Sequence, residues 1–342
     1  MGSDLMRYNI LGKTKLEVSV VGFGGIPIQR VSEKDASALV NRAIDLGINF
    51  FDTARAYTNS EVKMGLALQG RRQEIVLATK SLSRSKKEMY ADIRTSLDNL
   101  KTDYIDLYQL HNVKDKATFQ QICGQDGALA ALTEAKAAGL IRYIGITSHI
   151  KDFVTETLEH PEIATVQFPF NPIETNQTQN LFEAAGKNGS GVIIMKPLAG
   201  GAFRNTRLAL RYILQHPVST VIPGMDALDQ VEANVAAGCL KQELTTDERQ
   251  LLDAEIKELG ESFCRRCDYC QPCPQMIDIS TIFLLDGYLT RYNMPDWAKT
   301  RYRDLPVHAE ACVDCGICEE RCPYKLPIRQ MIQAAAGRLA GA

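Results

Sequence analysis

Eight of the ten cysteines lie in the last quarter of the chain, in two runs of four whose spacing suits iron–sulfur chemistry. The residues of the two runs are Cys264, Cys267, Cys270 and Cys273, and Cys312, Cys315, Cys318 and Cys322. A [4Fe–4S] cube needs four thiolates around one centre, and a run with this spacing supplies three from a single loop. A proline follows the last cysteine of each run and turns the chain away. The runs therefore predict two [4Fe–4S] clusters and a role in electron transfer.

The spacing of the runs resembles that of ferredoxins with two clusters. The second run follows the pattern C-x2-C-x2-C-x3-C-P, and the first is one residue shorter before its last cysteine. In those ferredoxins the fourth cysteine of each run ligates the other cluster, which assigns Cys322 to the first cluster and Cys273 to the second. Zinc sites are usually built from C-x2-C pairs far apart, and disulfides are usual in secreted proteins, so both remain weaker alternatives. Cys123 and Cys239 lie outside the runs and are predicted to be ordinary buried thiols.

Residues 1–260 repeat one pattern, a short apolar run rich in β-branched residues followed by an amphipathic stretch. This alternation is typical of successive βα units, and eight such units form a TIM barrel. The eight runs are VSVVGFGG, INFFDTA, EIVLATK, YIDLYQLH, IRYIGITS, ATVQFPF, GVIIMKP and STVIPG. We therefore predict an α/β fold, a (β/α)8 TIM barrel over residues 1–260 followed by a small, mainly α-helical, ferredoxin-like domain over 261–342. Residues 1–5 are expected to be a cloning remnant ahead of a natural start at Met6.

Helix signals lie between the strand runs and around the cysteines. Ser32 with Asp35 is typical of a capping box, and Gly139 is predicted to end the helix ALAALTEAKAAG. The segment between the cysteine runs is predicted to be helical. Its aromatic side chains are expected to pack the small domain against its neighbour rather than to cover a substrate mouth; they are Tyr288, Tyr292 and Trp297. The C-terminal stretch LPIRQMIQAAAGRLAGA predicts a fraying surface helix.

A polar residue or a glycine stands near the end of each of the eight apolar runs. These residues are Gly24, Asp52, Lys80, His111, Ser148, Gln167, Lys196 and Gly224. A TIM barrel gathers the carboxyl ends of its strands on one face, where such enzymes have their active sites. One polar residue after a strand is usually a turn residue, but eight in succession predict a functional face.

Four residues near these strand ends could donate a proton to a substrate: Asp52, Tyr57, Lys80 and His111. An unperturbed tyrosine has a pKa of about 10, and a neighbouring ammonium lowers it by favouring the phenolate. Lys80 in turn needs an anionic partner such as Asp52, and His111 can hydrogen-bond and orient a substrate oxygen. The alternative is structural, with Asp52 and Lys80 as a buried ion pair and the two aromatic residues as packing.

With these residues in place, the chain resembles the aldo-keto reductase family over residues 7 to about 256. The resemblance lies in GFGG, NFFDTARAYTNSE, VLATK, LYQLH, GITS, VQFPFN, MKPLAGG, and IPG followed by VEAN. It implies a catalytic tetrad of Asp52, Tyr57, Lys80 and His111 that reduces a carbonyl with a nicotinamide. The whole chain is similar to the branch of these reductases that carries a C-terminal ferredoxin-like domain with two [4Fe–4S] clusters.

The resemblance also implies a set of cofactor contacts. Ser148 and Gln167 match positions that hold the carboxamide, Asp52 lies near the nicotinamide ribose, and Asn234 matches an asparagine that contacts the adenine. The positions around the ribose and pyrophosphate are Gly24, Gly25, Lys196, Leu198 and Gly200. Met195 replaces a tyrosine on which many members stack the nicotinamide.

The 2′-phosphate site of NADP-specific members is altered here. Gly224, Met225 and Gln230 replace a Lys–Ser pair and an arginine, and Asp226 lies nearby. An acid beside the ribose repels a phosphate and accepts from a free hydroxyl, so the sequence favours NADH over NADPH.

The predicted function is an NAD(P)-dependent oxidoreductase that acts on a small carbonyl or alcohol substrate and is fused to an electron-transfer domain. Alternatives are a ferredoxin- or flavin-linked reductase of an activated double bond, and a non-enzymatic redox-sensing subunit. A hydride carries two electrons and each cube takes one. A flavin held by PLAGG, clusters that act as structural staples, and an external ferredoxin or flavodoxin are therefore all open options.

Composition excludes several classes of function. The formal net charge is −2 and lysines and arginines are scattered, which argues against nucleic acid as a partner. No run of about twenty apolar residues exists to span a membrane, and the N-terminus lacks a signal-peptide pattern. A cytoplasmic protein is therefore expected.

Overall fold

The computed structural model describes residues 5–175, 178–260, 263–264, 270–290, 294–322 and 324–341. The chain divides into two compact units, one made of Met1–Leu198 and Asn205–Arg249 and the other of Ala199–Arg204 and Gln250–Ala342. The domain boundary placed at residue 260 from the sequence stays a prediction. Each unit is described by itself.

The first unit is built around a barrel of parallel strands. The strands found among the described residues are β1 (Tyr8–Ile10), β2 (Glu17–Ser19), β3 (Phe23–Gly24), β4 (Phe50–Asp52), β5 (Val76–Ser81), β6 (Ile105–Leu110), β7 (Ile141–Thr147), β8 (Ile163–Pro169), β9 (Gly191–Met195) and β10 (Thr220–Val221). Strands β3 to β10 pair in sequence order, each parallel to the next. Parallel bridges from Val21 to Val221 and from Gly24 to Gly224 join the first and last strands. The predicted (β/α)8 TIM barrel is confirmed.

The first predicted strand is divided in the structure. Its beginning, β2, pairs antiparallel with β1, and only β3 enters the barrel. Ser19 and Asn49 exchange hydrogen bonds at the break, with Ser19 N donating to Asn49 Oδ1 at 2.6 Å and Asn49 N donating to Ser19 Oγ at 3.1 Å. Leu11 and Val18 of the hairpin belong to the apolar cluster inside the barrel. The hairpin therefore closes the end of the barrel opposite to the strand exits.

Alternate strand residues face the inside of the barrel, because successive side chains of a strand point to opposite faces. The apolar cluster inside includes Phe50, Ala78, Leu107 and Ile193. Two residues further along the same strands stand Asp52, Lys80, Gln109 and Met195. The strand period thus places a largely polar layer on top of an apolar floor, at the carboxyl ends of the strands.

Helices follow the strands. Those of the described residues up to the second unit are α1 (Glu33–Asp45), α2 (Ser60–Ala67), α3 (Lys86–Leu100), α4 (Lys116–Cys123), α5 (Ala128–Ala137), α6 (Lys151–Thr157), α7 (Thr178–Lys187), α8 (Thr206–Ile213) and α9 (Leu228–Cys239), followed by α10 (Thr246–Gly260). The Ser32 cap is confirmed, since its side chain accepts from Asp35 N. Gly139 follows α5 with a φ of +76°, a backbone conformation that suits glycine and ends the helix. Cys123 is exposed at the end of α4, so its predicted burial is wrong.

The second unit contains short helices around its own apolar core. The helices are α11 (Ile279–Thr290), α12 (Pro295–Arg303), α13 (Ile317–Glu320) and α14 (Ile328–Ala340). Tyr288 and Trp297 pack inside this core with ring centroids 4.4 Å apart, whereas Tyr292 lies outside the described residues. Packing of these aromatic residues between the two units stays a prediction. The predicted surface helix at the C-terminus is present as α14, with residues such as Gln333 and Arg338 exposed. One face of α14 is buried in this core, because apolar residues recur along it at helical spacing.

Across the described parts of the chain, none of the helices combines the length and the apolar character that crossing a bilayer requires.

Candidate active site

The structure brings the four predicted tetrad residues together at the carboxyl ends of β4, β5 and β6. Lys80 Nζ lies 2.5 Å from Asp52 Oδ2, and both side chains are buried. The same ammonium lies 5.0 Å from the centroid of the Tyr57 ring. The rings of Tyr57 and His111 meet edge to face with centroids 6.0 Å apart. A cation, an anion, a phenol and an imidazole therefore share one corner of the barrel mouth.

The ion pair of Lys80 and Asp52 is held by further hydrogen bonds. Lys80 Nζ also donates to Thr53 O at 2.7 Å, and Gln109 Nε2 donates to Asp52 Oδ1 at 3.1 Å. Burial lowers the pKa of Lys80. The negative charge of Asp52, the interaction with Tyr57 and the hydrogen bonds to both residues together raise it by more, so the net shift is upward. Burial raises the pKa of Asp52 by more than Lys80 lowers it. Lys80 therefore stays a cation, pointed at Tyr57.

His111 is kept neutral by its surroundings. Burial, followed by the positive charges of Lys80 and Arg84, lowers its pKa to about 3. Arg84 Nη2 donates to His111 O at 2.7 Å and fixes the backbone at the end of β6. Among the described residues, His111 Nδ1 is buried without a hydrogen-bond partner. A neutral imidazole can donate one hydrogen bond to a ligand without adding charge.

The loop that carries Tyr57 is anchored by a buried carboxylate. Glu61, on α2, accepts from Arg55 Nη1 at 2.7 Å and from Thr79 Oγ1 at 2.8 Å. Arg55 N donates to Lys80 O at 2.9 Å, so the loop is tied to β5 by backbone and side chain. Because Arg55 stands two residues before Tyr57, this ion pair limits the positions that the phenol can take.

The two predicted carboxamide contacts are Gln167, which lies beside Asp52, and Ser148, which follows β7. Gln167 interacts with the Asp52 carboxylate, and within the described part of the chain its Oε1 is buried without a hydrogen-bond partner. Ser148 N donates to Gln167 O at 3.0 Å, while Ser148 Oγ accepts from Ile150 N at 3.0 Å. A buried amide oxygen without a partner costs free energy, so it fits the N–H group of a ligand.

Glycines open the barrel mouth next to Asp52. A Cβ on Gly25 would lie 2.8 Å from Asp52 O, and one on Gly24 would lie 2.8 Å from Pro223 O. Gly24 also bridges to Gly224 across the seam of the barrel. Since side chains are excluded at these positions, the ends of the neighbouring strands can pack closely against each other there.

The remaining predicted contacts are spread over the ends of β9 and β10. Lys196 follows β9 with a φ of +53° and places Nζ 3.5 Å from His149 Nδ1. Met195 is half-buried beside the apolar interior, and Leu198 packs against the outer core. Gly200 belongs to the second unit and has a φ of +68°.

An ion pair that the sequence did not reveal lies at the end of β10. Arg30 Nη2 is 2.5 Å from Asp226 Oδ2, and Asp226 N donates to Gln230 Oε1 at 3.0 Å. Arg30 comes from the loop after β3, so the pair joins the loops of the first and last strands. Asn234 is buried in α9, one turn beyond Gln230.

Four cysteines of the second unit line one cavity. Cys273 from the first run lines this cavity together with Cys312, Cys315 and Cys318 from the second. Cys270 and Cys322 are buried in the core of the unit, and Cys267 lies outside the described residues. Within the described residues no three His, Cys, Asp or Glu side chains converge on a single ion position.

Comparison with known proteins gives the same two parts. The chain matches the description "Aldo/keto reductase family" over residues 20–208 and "4Fe-4S dicluster domain" over residues 263–327. It is 31% identical to the L-galactose dehydrogenase of Arabidopsis thaliana, over 72% of this chain and 92% of that protein. It is 29% identical to the uncharacterized oxidoreductase YqkF of Bacillus subtilis, over 74% and 97%. The holo form of the aldo-keto reductase AKR11C1 from Bacillus halodurans superposes with a TM-score of 0.63 at 31% identity, over 74% of this chain and 96% of that one.

The chain belongs to the aldo/keto reductase family. It is an oxidoreductase of that family with a C-terminal 4Fe-4S dicluster domain. The L-galactose dehydrogenase and YqkF each align with about three quarters of this chain and with nearly all of their own length.

Some polar residues at this reductase's barrel mouth were missed by the sequence analysis. Gln109 carried a signal, because it stands two residues before His111 in the same strand run and therefore shares its face. Arg30, Arg84 and His149 carried none, since each reaches the mouth through a loop whose path one sequence does not reveal.

The depressed pKa of His111 predicts a specific dependence of stability on pH. The unfolded chain binds a proton at His111 near the ordinary pKa of about 6.5, whereas the folded protein does so only at about 3. Stability is therefore fully present above pH 6.5 and falls as the pH drops towards 3. Between pH 7.5 and 5.5, the free energy of unfolding of the wild type should fall by about 1.4 kcal/mol more than that of His111→Gln. Urea unfolding followed by circular dichroism measures this, and equal losses would contradict a neutral His111.

Proposed function

We propose that the protein interconverts a small carbonyl compound and its alcohol with a nicotinamide cofactor, and that its second unit carries two [4Fe–4S] clusters. The observation that carries the first part is the buried Lys80, which is paired with Asp52 and interacts with Tyr57. An ion pair with a purely structural role does not need a phenol beside its ammonium group. The names of two relatives, L-galactose dehydrogenase and the methylglyoxal reductase DkgB of Yersinia pestis, describe carbonyl–hydroxyl chemistry for those proteins.

A nicotinamide supplies or accepts the hydride when it is bound. Tyr57 gives its hydroxyl proton to the carbonyl oxygen, and the charge of Lys80 stabilises the phenolate that is left. Asp52 keeps Lys80 charged and in place. His111, being neutral, donates a hydrogen bond to the substrate oxygen and does not compete as an acid.

The cofactor site is proposed at the barrel mouth. Its best support is the buried Gln167 Oε1, which accepts no hydrogen bond from the described residues and suits a carboxamide N–H. The contacts proposed from the first unit are Gly24, Gly25, Asp52, Ser148, Gln167, Met195, Lys196, Leu198, Gly224, Gln230 and Asn234. Gly200 lies in the second unit and stays a prediction from the sequence.

Tyr57→Phe tests the proposed acid. Turnover, measured as NADH oxidation with methylglyoxal and as NAD⁺ reduction with L-galactose, should fall about 10²- to 10⁴-fold, because the variant has no proton to give. Binding of NADH, followed by quenching of protein fluorescence, should be unchanged. A variant that keeps wild-type turnover would remove Tyr57 from the chemistry. A wild type that binds NADH but turns over neither these compounds nor a wider panel of aldehydes would favour a sensor.

NADH is proposed as the preferred cofactor because of the Arg30–Asp226 pair. The guanidinium is already neutralised by the carboxylate at 2.5 Å, so a 2′-phosphate has to displace Asp226 before it can use this charge. A ribose hydroxyl, in contrast, can donate to the carboxylate while the pair stays intact. The acid and the arginine together therefore favour the unphosphorylated cofactor.

Asp226→Asn should shift the preference towards NADPH. Removal of the carboxylate leaves Arg30 available to a phosphate, and a hydrogen bond to a charged group is worth about 1.5–3 kcal/mol. The ratio of kcat/KM for NADPH to that for NADH should rise about tenfold or more. Asp229→Asn, an exposed acid three residues away, is the matched control and should leave the ratio unchanged. If the two variants give the same ratio, the proposed role of Asp226 is wrong.

The clusters are proposed to exchange electrons with an external ferredoxin or flavodoxin. Cys315 is exposed, so a cluster bound in the cavity of the second unit lies near the surface, where a one-electron partner can reach it. We therefore do not assign a flavin to this chain.

Anaerobic addition of NADH to the loaded protein tests this route. The visible iron–sulfur absorption should persist with NADH alone, since a hydride donor delivers two electrons and each cube accepts one, and it should bleach with dithionite. Bleaching by NADH would instead show that electrons pass within the chain, and release of a flavin from the denatured protein would then explain it. Absence of bleaching by dithionite would leave the clusters as structural elements.

A further inference from the structure

Among the residues that the structure describes, Arg329 is the one arginine that lines the four-cysteine cavity. It stands in the first turn of α14, directly after Ile328. Its guanidinium carbon lies 3.9 Å from the point where a Cβ on Gly316 would stand, and Gly316 follows Cys315 in the second run. The positive charge therefore covers the backbone of the loop that supplies three of the four thiols.

The hydrogen bonds of Arg329 leave its Nε–H group unused. Nη2 donates to Glu319 Oε2 at 2.8 Å, and Nη1 donates to Asp314 O at 3.3 Å. Nη1 also lies 3.3 Å from Asp314 Oδ1. In the part of the chain that the structure describes, Nε is buried and has no hydrogen-bond partner. A buried N–H group without a partner is costly, so it points to an acceptor supplied by a ligand.

A cluster in the cavity would supply that acceptor. Thiolate and sulfide sulfurs accept hydrogen bonds, and such bonds, like nearby positive charge, determine the reduction potential of a cluster. Reduction adds one negative charge, so both effects favour the reduced state. The side chain of Arg329 is 36% exposed and that of Asp314 is 64% exposed, so water screens both charges in part, whereas the Nε atom of Arg329 is shielded from solvent.

We propose that Arg329 tunes the reduction potential of the cluster held by Cys273, Cys312, Cys315 and Cys318. Its charge and its buried Nε–H raise the potential of this cluster. The inference rests on the proposed clusters and assigns a residue that ligates no metal to the electron path.

Potentiometric titration of the loaded full-length protein, followed by electron paramagnetic resonance, tests the proposal. In Arg329→Gln, one of the two midpoint potentials should fall by about 59 mV, a tenfold change in the equilibrium constant of a one-electron reduction. Arg329→Lys should cause a smaller fall, because the ammonium keeps the charge but lacks the planar Nε–H. Glu319→Gln should raise the same potential, since it removes a negative charge and leaves the arginine.

Arg338→Gln is the matched control. Arg338 lies in the same helix and pairs with Asp286 at 2.7 Å, but it does not line the cavity. This variant should keep both wild-type potentials. If Arg329→Gln, with both clusters loaded, also keeps both wild-type potentials, Arg329 does not tune the potential.

Iron and sulfide analysis separates failure of the inference from failure of the proposed function. A wild type that cannot be loaded with two cubes would refute the proposed clusters themselves. If only Arg329→Gln fails to load, the shifts of Arg329→Lys and Glu319→Gln decide the question. A lower potential in Arg329→Lys together with a higher one in Glu319→Gln supports the proposal. Wild-type potentials in both variants overturn it.

Discussion

The architecture of the barrel mouth depends on one buried ion pair. Lys80 and Asp52 are both removed from water, and neither charge would be tolerated there without the other. The pair is completed by Thr53 O and by Gln109, so its geometry is fixed from three strand ends. The role proposed for Tyr57 depends on this cation, which favours the phenolate, and the same charge adds to burial in lowering the pKa of His111.

The strand period explains why the pair lies where it does. Phe50 and Ala78 form part of the apolar floor inside the barrel, and Asp52 and Lys80 are the next residues on the same faces. An interior of this kind excludes water beneath the site, so electrostatic interactions there are stronger than at the surface. Stability and chemistry therefore share the same strands, with apolar packing towards the hairpin end and charge towards the mouth.

Features set by local pattern could be predicted from the sequence. The eight strands, the Ser32 cap and the meeting of Asp52, Lys80 and His111 all follow from periodicity and from the rule that parallel strands end on one face. The alternation of side chains along β6 also pointed to Gln109, although that signal was not used.

Features set by contacts between distant segments could not be predicted. The pairing of Arg30 with Asp226 joins the first and last loops of the barrel, and the side chain of Arg329 reaches the cysteine cavity from a helix that follows the second run. The first strand was predicted as continuous because Ser19 gives no sign that it bonds with Asn49. The buried face of the terminal helix was not predicted, because small residues such as Ala335 and Ala336 hide how closely that helix packs.

The shared cavity of Cys273 and the second run has a consequence for biosynthesis. If each cube takes its last thiolate from the other run, neither cube has all four ligands until most of the second run has left the ribosome: the second cube would be complete at Cys318 and the first only at Cys322. The barrel precedes both runs, so it can fold during translation while the cysteine segment is still unfinished. Under the proposed ligation, both cubes would then be assembled after the barrel, and loss of one cube would withdraw a ligand loop from its neighbour as well.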